Sequence, residues 1–266
     1  MHTLRIYRAL MGAAVRTELQ YRTNLIMQTI GGITLQGIGF AFIWVVVGRF
    51  GAINGWSLGE IAFLYGMRLT SHALWTVPFA QVFQVEWVVR TAEFDRYLVR
   101  PVSPFVQLVC RRITLTTFGD FAGGVVLLAS AATLVHINWS PLAVCYLVLA
   151  VVGGALVEVS VNMVVSTLAF RFTTISAVRL LVDNIFNTFG NYPMTILPAA
   201  TRFGLTFVLP LAFVAYFPAT AILHRTGQLS VPSWLAWSAP AVGAALFVCA
   251  YKFWMWQTKH YSSSGH

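Results

Sequence analysis

"LAVCYLVLAVVGGALVEVSVNMVVSTLAF", residues 142–170, holds a single charged side chain, Glu158, in twenty-nine positions. A bilayer core roughly 30 Å thick takes about 20 apolar residues of helix to cross, so this stretch reads as a membrane span. Similar runs cover Leu25–Val47, Ile61–Val85, Ile113–Val135, Phe203–Leu223 and Leu235–Trp256. They are continuous rather than alternating, which excludes a β-barrel. The chain is 58% hydrophobic, with a mean hydropathy of +0.74, far outside the composition of soluble domains. The reading is an all-α polytopic membrane protein: one domain over 1–266, six transmembrane helices, and no repeat or linker.

The first 24 residues carry Arg5, Arg8, Arg16, Glu18 and Arg22 with no apolar core. They read as an amphipathic helix on the membrane surface, not a cleaved signal. Cys110, Cys145 and Cys249 form neither a disulfide framework nor a metal pattern, and read as small packing residues. Tryptophans 56, 139, 234, 254 and 256 fall near expected interfaces, where an amphipathic ring is favoured. Counting Lys and Arg by loop places thirteen of the seventeen on one side. By the positive-inside rule that side is cytoplasmic, with both termini on it. The net charge of +9 is then a membrane-topology signal and implies no nucleic-acid partner.

The region after residue 170 has two readings. Either Phe203–Leu223 is the fifth crossing, or 178–198 crosses and 203–223, interrupted by Pro210 and Pro218, dips in and returns on the outer side. Broken backbone at that depth needs protein or a water-filled cavity around it.

Lysine occurs only as Lys252 and Lys259, followed by Phe253 and His260, so no phosphate-binding loop of the G-x-x-x-x-G-K-[ST] type exists in this chain. No H-E-x-x-H zinc motif and no G-x-S-x-G elbow is present either. The chain reads as no enzyme by itself, with no cofactor of its own. The intramembrane polar residues are Arg68 and His72, spaced i, i+4, then Asp120, then Glu158 and Asn162, again i, i+4. Charge at mid-bilayer is costly and faces a partner or a cavity. One reading pairs Arg68 with Asp120 or Glu158 as a packing device; the other makes these residues a polar path.

The densest polar segment is "EFDRYLVRPVSPFVQ", 93–107. Glu86–Arg100 fits a short helix stopped by Pro101, since the residue before a proline leaves the α region. Phe94 and Leu98 on it can face lipid or protein. Ser103-Pro104 fits the N-cap and first position of a new helix. The whole of 86–104 reads as a surface helix and rigid elbow, suited to a partner's groove.

This segment resembles the "G-x-x-D-x-x-L-x-R-P-x-S-P-x-x-Q" element of a permease family in the type-2 class of ATP-binding-cassette exporters. Gly119-Asp120, the stretch 191–219 and the ending "KHYSSSGH" are similar to that family too. The family's usual glycine is placed at Glu93, a departure. The resemblance implies a six-helix permease subunit with an N-terminal surface helix and a re-entrant segment before the last span. It implies that 86–104 is the coupling helix, with Glu93, Asp95, Arg96, Arg100 and Pro101 contacting a cytoplasmic ATPase that holds the ATP and magnesium. It implies a second permease copy or a related permease as partner. A high ratio of Arg to Lys suggests a GC-rich bacterium, hence the inner membrane. The rival reading is an ion-coupled secondary transporter using Arg68, Asp120 and Glu158, against which no inverted repeat is visible.

Overall fold

The computed structural model describes residues 12, 16, 19–20, 22–50, 52–112, 114, 117–172 and 174–262. The surface helix expected over 1–24 lies almost wholly outside the described residues, as does the end of the chain from 263. Among the described residues the structure is helical, with no named strand. The apolar runs become α1 (Arg22–Phe50), α2 (Leu58–Phe79), then three short helices, α3 (Val85–Arg90), α4 (Asp95–Leu98) and α5 (Pro104–Val109). They are followed by α6 (Phe118–Leu134), α7 (Pro141–Thr167), α8 (Ser176–Phe189), α9 (Ala199–Phe203), α10 (Tyr216–Ile222), α11 (Trp234–Trp237) and α12 (Ala239–Thr258).

Local chemistry sets the ends of the long helices. Ser57 caps α2 through a capping box: its hydroxyl accepts from Glu60 N, while Glu60 Oε2 accepts from Ser57 N at 2.8 Å. Two orphan donors are thereby satisfied. Ser140 Oγ accepts from Ala143 N at 3.1 Å, and Pro141 opens α7. Pro78 lies inside α2 near its end, and the chain continues from it as a tighter turn over Ala80–Gln84.

α2 is the central helix. Ile61, Phe63, Leu64, Met67 and Leu69 are sealed from solvent, as are polar neighbours on its other faces. It packs along α6 and α7, and α7 packs along α12. Small residues allow these close approaches. A Cβ on Gly66 of α2 would lie 2.8 Å from Leu128 Cα of α6, and one on Gly153 of α7 would lie 2.7 Å from Pro240 Cα of α12. α1 is the opposite case. It leans on α6, while Met27, Ile30, Leu35, Ile38 and Trp44 stay exposed.

α7 extended to Phe170 and α12 are long and apolar enough to cross a membrane; the bent pair Ala199–Val208 and Leu211–Ile222 makes a third if counted as one span. α1 and α6 contribute shorter apolar stretches, Leu25–Ala41 and Phe118–Leu134. The bent pair turns by 76° at Leu209-Pro210, where proline removes a donor and fixes φ. At one end of this region Asn54 Nδ2 donates to Thr195 O at 3.1 Å. At the other, Arg225 Nε is bonded to Glu60 Oε1, and its guanidinium lies 5.4 Å from the Trp56 ring. Both ends therefore sit beside the same 54–60 segment.

The tryptophan expectation divides. Trp139, Trp234 and Trp256 are exposed, whereas Trp56 and Trp254 are fully buried and belong to the core. The cysteine expectation divides as well. Cys110 is buried, while Cys145 and Cys249 face outward.

Candidate functional site

Two constellations carry most of the chain's chemistry. The first is the segment expected to be one helix over Glu86–Arg100. It is two helices: α3 ends at Arg90 and α4 begins at Asp95. Between them Ala92 adopts φ 55, a left-handed conformation that costs a residue with a Cβ roughly 1–2 kcal/mol. The position suited to glycine is therefore Ala92, not Glu93. The break lets the chain fold back, with Phe94 N donating to Val88 O at 3.1 Å.

Phe94, open to either environment in the sequence, is completely buried. Its ring meets Tyr97 at 5.9 Å, Phe170 at 5.0 Å, Trp254 at 6.1 Å and Tyr261 at 5.1 Å. Edge-to-face pairs at these separations each add about 0.5–1.5 kcal/mol beyond burial. One side chain thus ties the elbow to the ends of α7 and α12. Leu98 remains exposed.

Gln107 closes the elbow, a role not assigned to it from sequence. Its buried Nε2 donates to Tyr97 O at 2.9 Å and to Val102 O at 2.7 Å, so the Arg100–Ser103 bend is clamped from within. Ser103 precedes α5 at the N-cap, with Pro104 first in the helix, as expected. Its hydroxyl, however, makes no capping bond and lies 4.0 Å from Met255 Sδ. Glu93 pairs with Arg111 at 3.1 Å, and that guanidinium lies 4.8 Å from the Trp87 ring. Asp95 is half-buried; Arg96, Arg100 and Pro101 are exposed, as are Arg90, Arg111 and Arg112. Burial pushes the Tyr97 phenol above its ordinary pKa, with Glu93 adding to the rise and Arg111 opposing it. Burial likewise raises the Cys110 thiol, which keeps it an unreactive thiol.

The second constellation lies between α2, α7 and α8. Of the two partners open to Arg68, it takes Glu158: Arg68 Nε lies 3.7 Å from Glu158 Oε1. Glu158 Oε2 is bonded to His72 Nδ1 at 2.6 Å and accepts from Trp75 Nε1 at 2.8 Å. Asn162 Nδ2 donates to Glu158 O at 3.0 Å. Asp120 stands apart: Gln36 Nε2 of α1 donates to it at 3.1 Å, and Tyr65 OH donates to Gln36 Oε1 at 3.0 Å. So the five polar residues split into an α2–α7 group and a separate α1–α2–α6 link.

α8 completes the first group. Arg179, Asp183 and Asn187 recur every four residues and share a face. Arg68 Nη2 donates to Asn187 Oδ1 at 3.0 Å, and Arg179 Nη1 donates to Phe83 O at 2.7 Å. Arg68, His72, Phe83, Glu158, Asn162, Asp183, Phe186 and Asn187 line a cavity of about 200 Å³. In the sequence Asp183 and Asn187 are polar interruptions of an apolar stretch, with nothing in their spacing to join them to Arg68.

The helical architecture, the apolar spans and the polar core define an integral membrane protein. Residues 33–265 match the family described as ABC-2 family transporter protein. The chain belongs to that family, the membrane component of ATP-binding-cassette transport. No curated protein and no solved structure matches the chain.

Proposed function

We propose that the chain is the permease subunit of an exporter driven by ATP, with magnesium, on a separate cytoplasmic ATPase, and that residues 86–104 form the coupling element. The observation that carries this reading is the construction of the elbow. It is rigid inside, through Phe94 and Gln107, and offers the exposed Arg96 and Arg100 on its outer side. A surface loop serving only topology needs no such internal clamp. A displacement of the elbow by nucleotide-dependent closure of the ATPase pulls on α12 through Trp254, and two-state repacking of that contact is the switching element.

Two finer points belong to this reading. The 199–222 segment is a re-entrant hairpin and α8 with the residues to Thr195 is the fifth crossing, which gives six crossings and leaves both termini cytoplasmic. Support comes from the two ends of the segment meeting the same 54–60 region. A second permease, identical or related, covers the exposed face of α1; the complex resides in a bacterial inner membrane. The ion-coupled alternative is weakened because Asp120 is not connected to the Arg68–Glu158 pair by any hydrogen bond in the two groups described.

The test is co-expression with the cognate ATPase. Asp95→Ala and Arg100→Ala weaken co-purification or uncouple ATP hydrolysis from transport, while the fold in detergent is unchanged. Truncating one member of a buried interfacial charge pair typically costs about 2–5 kcal/mol. Hydrolysis by the isolated chain, or parental coupling in both variants, defeats the assignment.

A further inference from the structure

The cavity between α2, α7 and α8 has unused hydrogen-bonding capacity in its walls. Glu158 and Asn162 are 1% and 3% exposed, yet Glu158 Oε1 and Asn162 Oδ1 have no hydrogen-bond donor. Buried acceptors of this kind are normally satisfied by protein, water or ligand. A third acceptor, the Asp183 carboxylate, lines the same space, as do the rings of Phe83 and Phe186. The one buried donor left over there is Arg68 Nε, which faces Glu158 Oε1 at 3.7 Å.

Charge points the same way as the acceptors. The lining holds two carboxylates, Glu158 and Asp183, against one permanent cation, Arg68, with His72 Nδ1 2.6 Å from Glu158 Oε2. Arg179, one turn before Asp183, does not line the cavity but is the leading charge acting on that carboxylate. It donates to Phe83 O at 2.7 Å, with its guanidinium over that ring at 5.6 Å.

We propose that this cavity binds the ammonium head of an amine-bearing organic molecule. An alkylammonium group supplies N–H donors for Glu158 Oε1, Asn162 Oδ1 and Asp183, sets a positive charge beside two carboxylates, and lies near two aromatic rings that favour cations. At about 200 Å³ the space falls below the roughly 300–1,000 Å³ that encloses a drug-sized ligand. It therefore seats a head group, and the rest of the molecule extends out through the cavity mouth. That the amine is transported cargo rests on the export reading; that it binds does not.

The experiment uses the full chain in phosphatidylcholine nanodiscs without ATPase, with protein-free nanodiscs to subtract partitioning. Calorimetry compares 2-phenylethylammonium with 2-phenylethanol and phenylacetate, which vary the charge of a similar small aromatic molecule. The amine is expected to bind saturably and at least tenfold more tightly than the other two. Asp183→Asn, an isosteric change at a half-buried position, is expected to weaken it at least tenfold. Asp120→Asn, bonded to Gln36 in a different group, leaves it unchanged. Equal binding of the three compounds, absence of saturable binding, or full amine affinity in a folded Asp183→Asn protein overturns the proposal. Amine binding without stimulation of ATP hydrolysis in the assembled complex removes only the cargo role and leaves the site standing.

Discussion

Glu158 shows how one carboxylate can be kept inside an apolar helix bundle: Trp75 and His72 share Oε2, and Arg68 faces Oε1. Removing one member of a buried ion pair strands the other, and such losses typically run to about 3–5 kcal/mol. Arg68→Met therefore lowers the unfolding midpoint in detergent markedly, and adding Glu158→Gln to it restores part of the loss. If Arg68→Met unfolds like the parent, the pair carries no structural weight. The i, i+4 spacings already placed Arg68 with His72 and Glu158 with Asn162. Which acid Arg68 would choose was not legible, because Asp120 and Glu158 lie on different helices and only packing ranks them. Asn187 and Asp183, more than a hundred residues from Arg68, left just the faint mark of polar residues in an apolar run.

At the level of elements, the elbow was legible as a position and only partly as a structure. Pro101, Ser103 and Pro104 announce the bend and the start of α5, because proline constrains the backbone by itself. The break at Ala92 carries no such mark: an alanine there favours continued helix, and only the burial of Phe94 under Trp254 forces it into φ 55. Gln107 is equally silent, since its two acceptors are backbone carbonyls that exist only after the bend has formed. The energetic weight falls on Phe94, for which truncation to alanine removes a fully buried ring, a change that costs about 3–5 kcal/mol in well-packed cores. Phe94→Ala is expected to loosen the elbow locally before the spans unfold. Hydrogen exchange should rise over residues 91–107 while α2 and α7 remain protected. Exchange spread evenly over the whole chain, or not at all, contradicts the anchoring role.

For the whole molecule the open question in the sequence was which of two segments crosses, and hydropathy could not decide it. The 178–198 stretch is interrupted by Asp183, Asn184, Asn187 and Asn191, and the 203–223 stretch is uncharged but broken by Pro210. Hydropathy scores side chains one by one, whereas crossing is decided by where the ends are held. Here Thr195 is held by Asn54, and Arg225 by Glu60 and Trp56. Under the re-entrant reading both ends lie on the outer surface, and a single-cysteine scan separates the alternatives. In a background lacking Cys110, Cys145 and Cys249, cysteines introduced at Ala199 and at Gly227 should both react with a membrane-impermeant thiol reagent added to intact cells, and Arg96→Cys should react only after permeabilisation. Ala199 and Gly227 are exposed, and neither belongs to the Asn54 or Glu60 contacts, so labelling does not require those contacts to break. If 203–223 is instead a crossing, Ala199 and Gly227 label from opposite sides, and α8 must then lie along the membrane without spanning it. At 14 residues, α8 is about 21 Å long, short of the bilayer core, so its crossing depends on the Gly190–Thr195 continuation, a turn followed by a tight helical turn from Met194, that reaches Asn54. Thr195→Ala would leave the carbonyl that accepts from Asn54 intact, whereas Asn54→Ala removes the donor. The scan should therefore give the same outer labelling in Thr195→Ala and a weaker, heterogeneous pattern at Ala199 in Asn54→Ala.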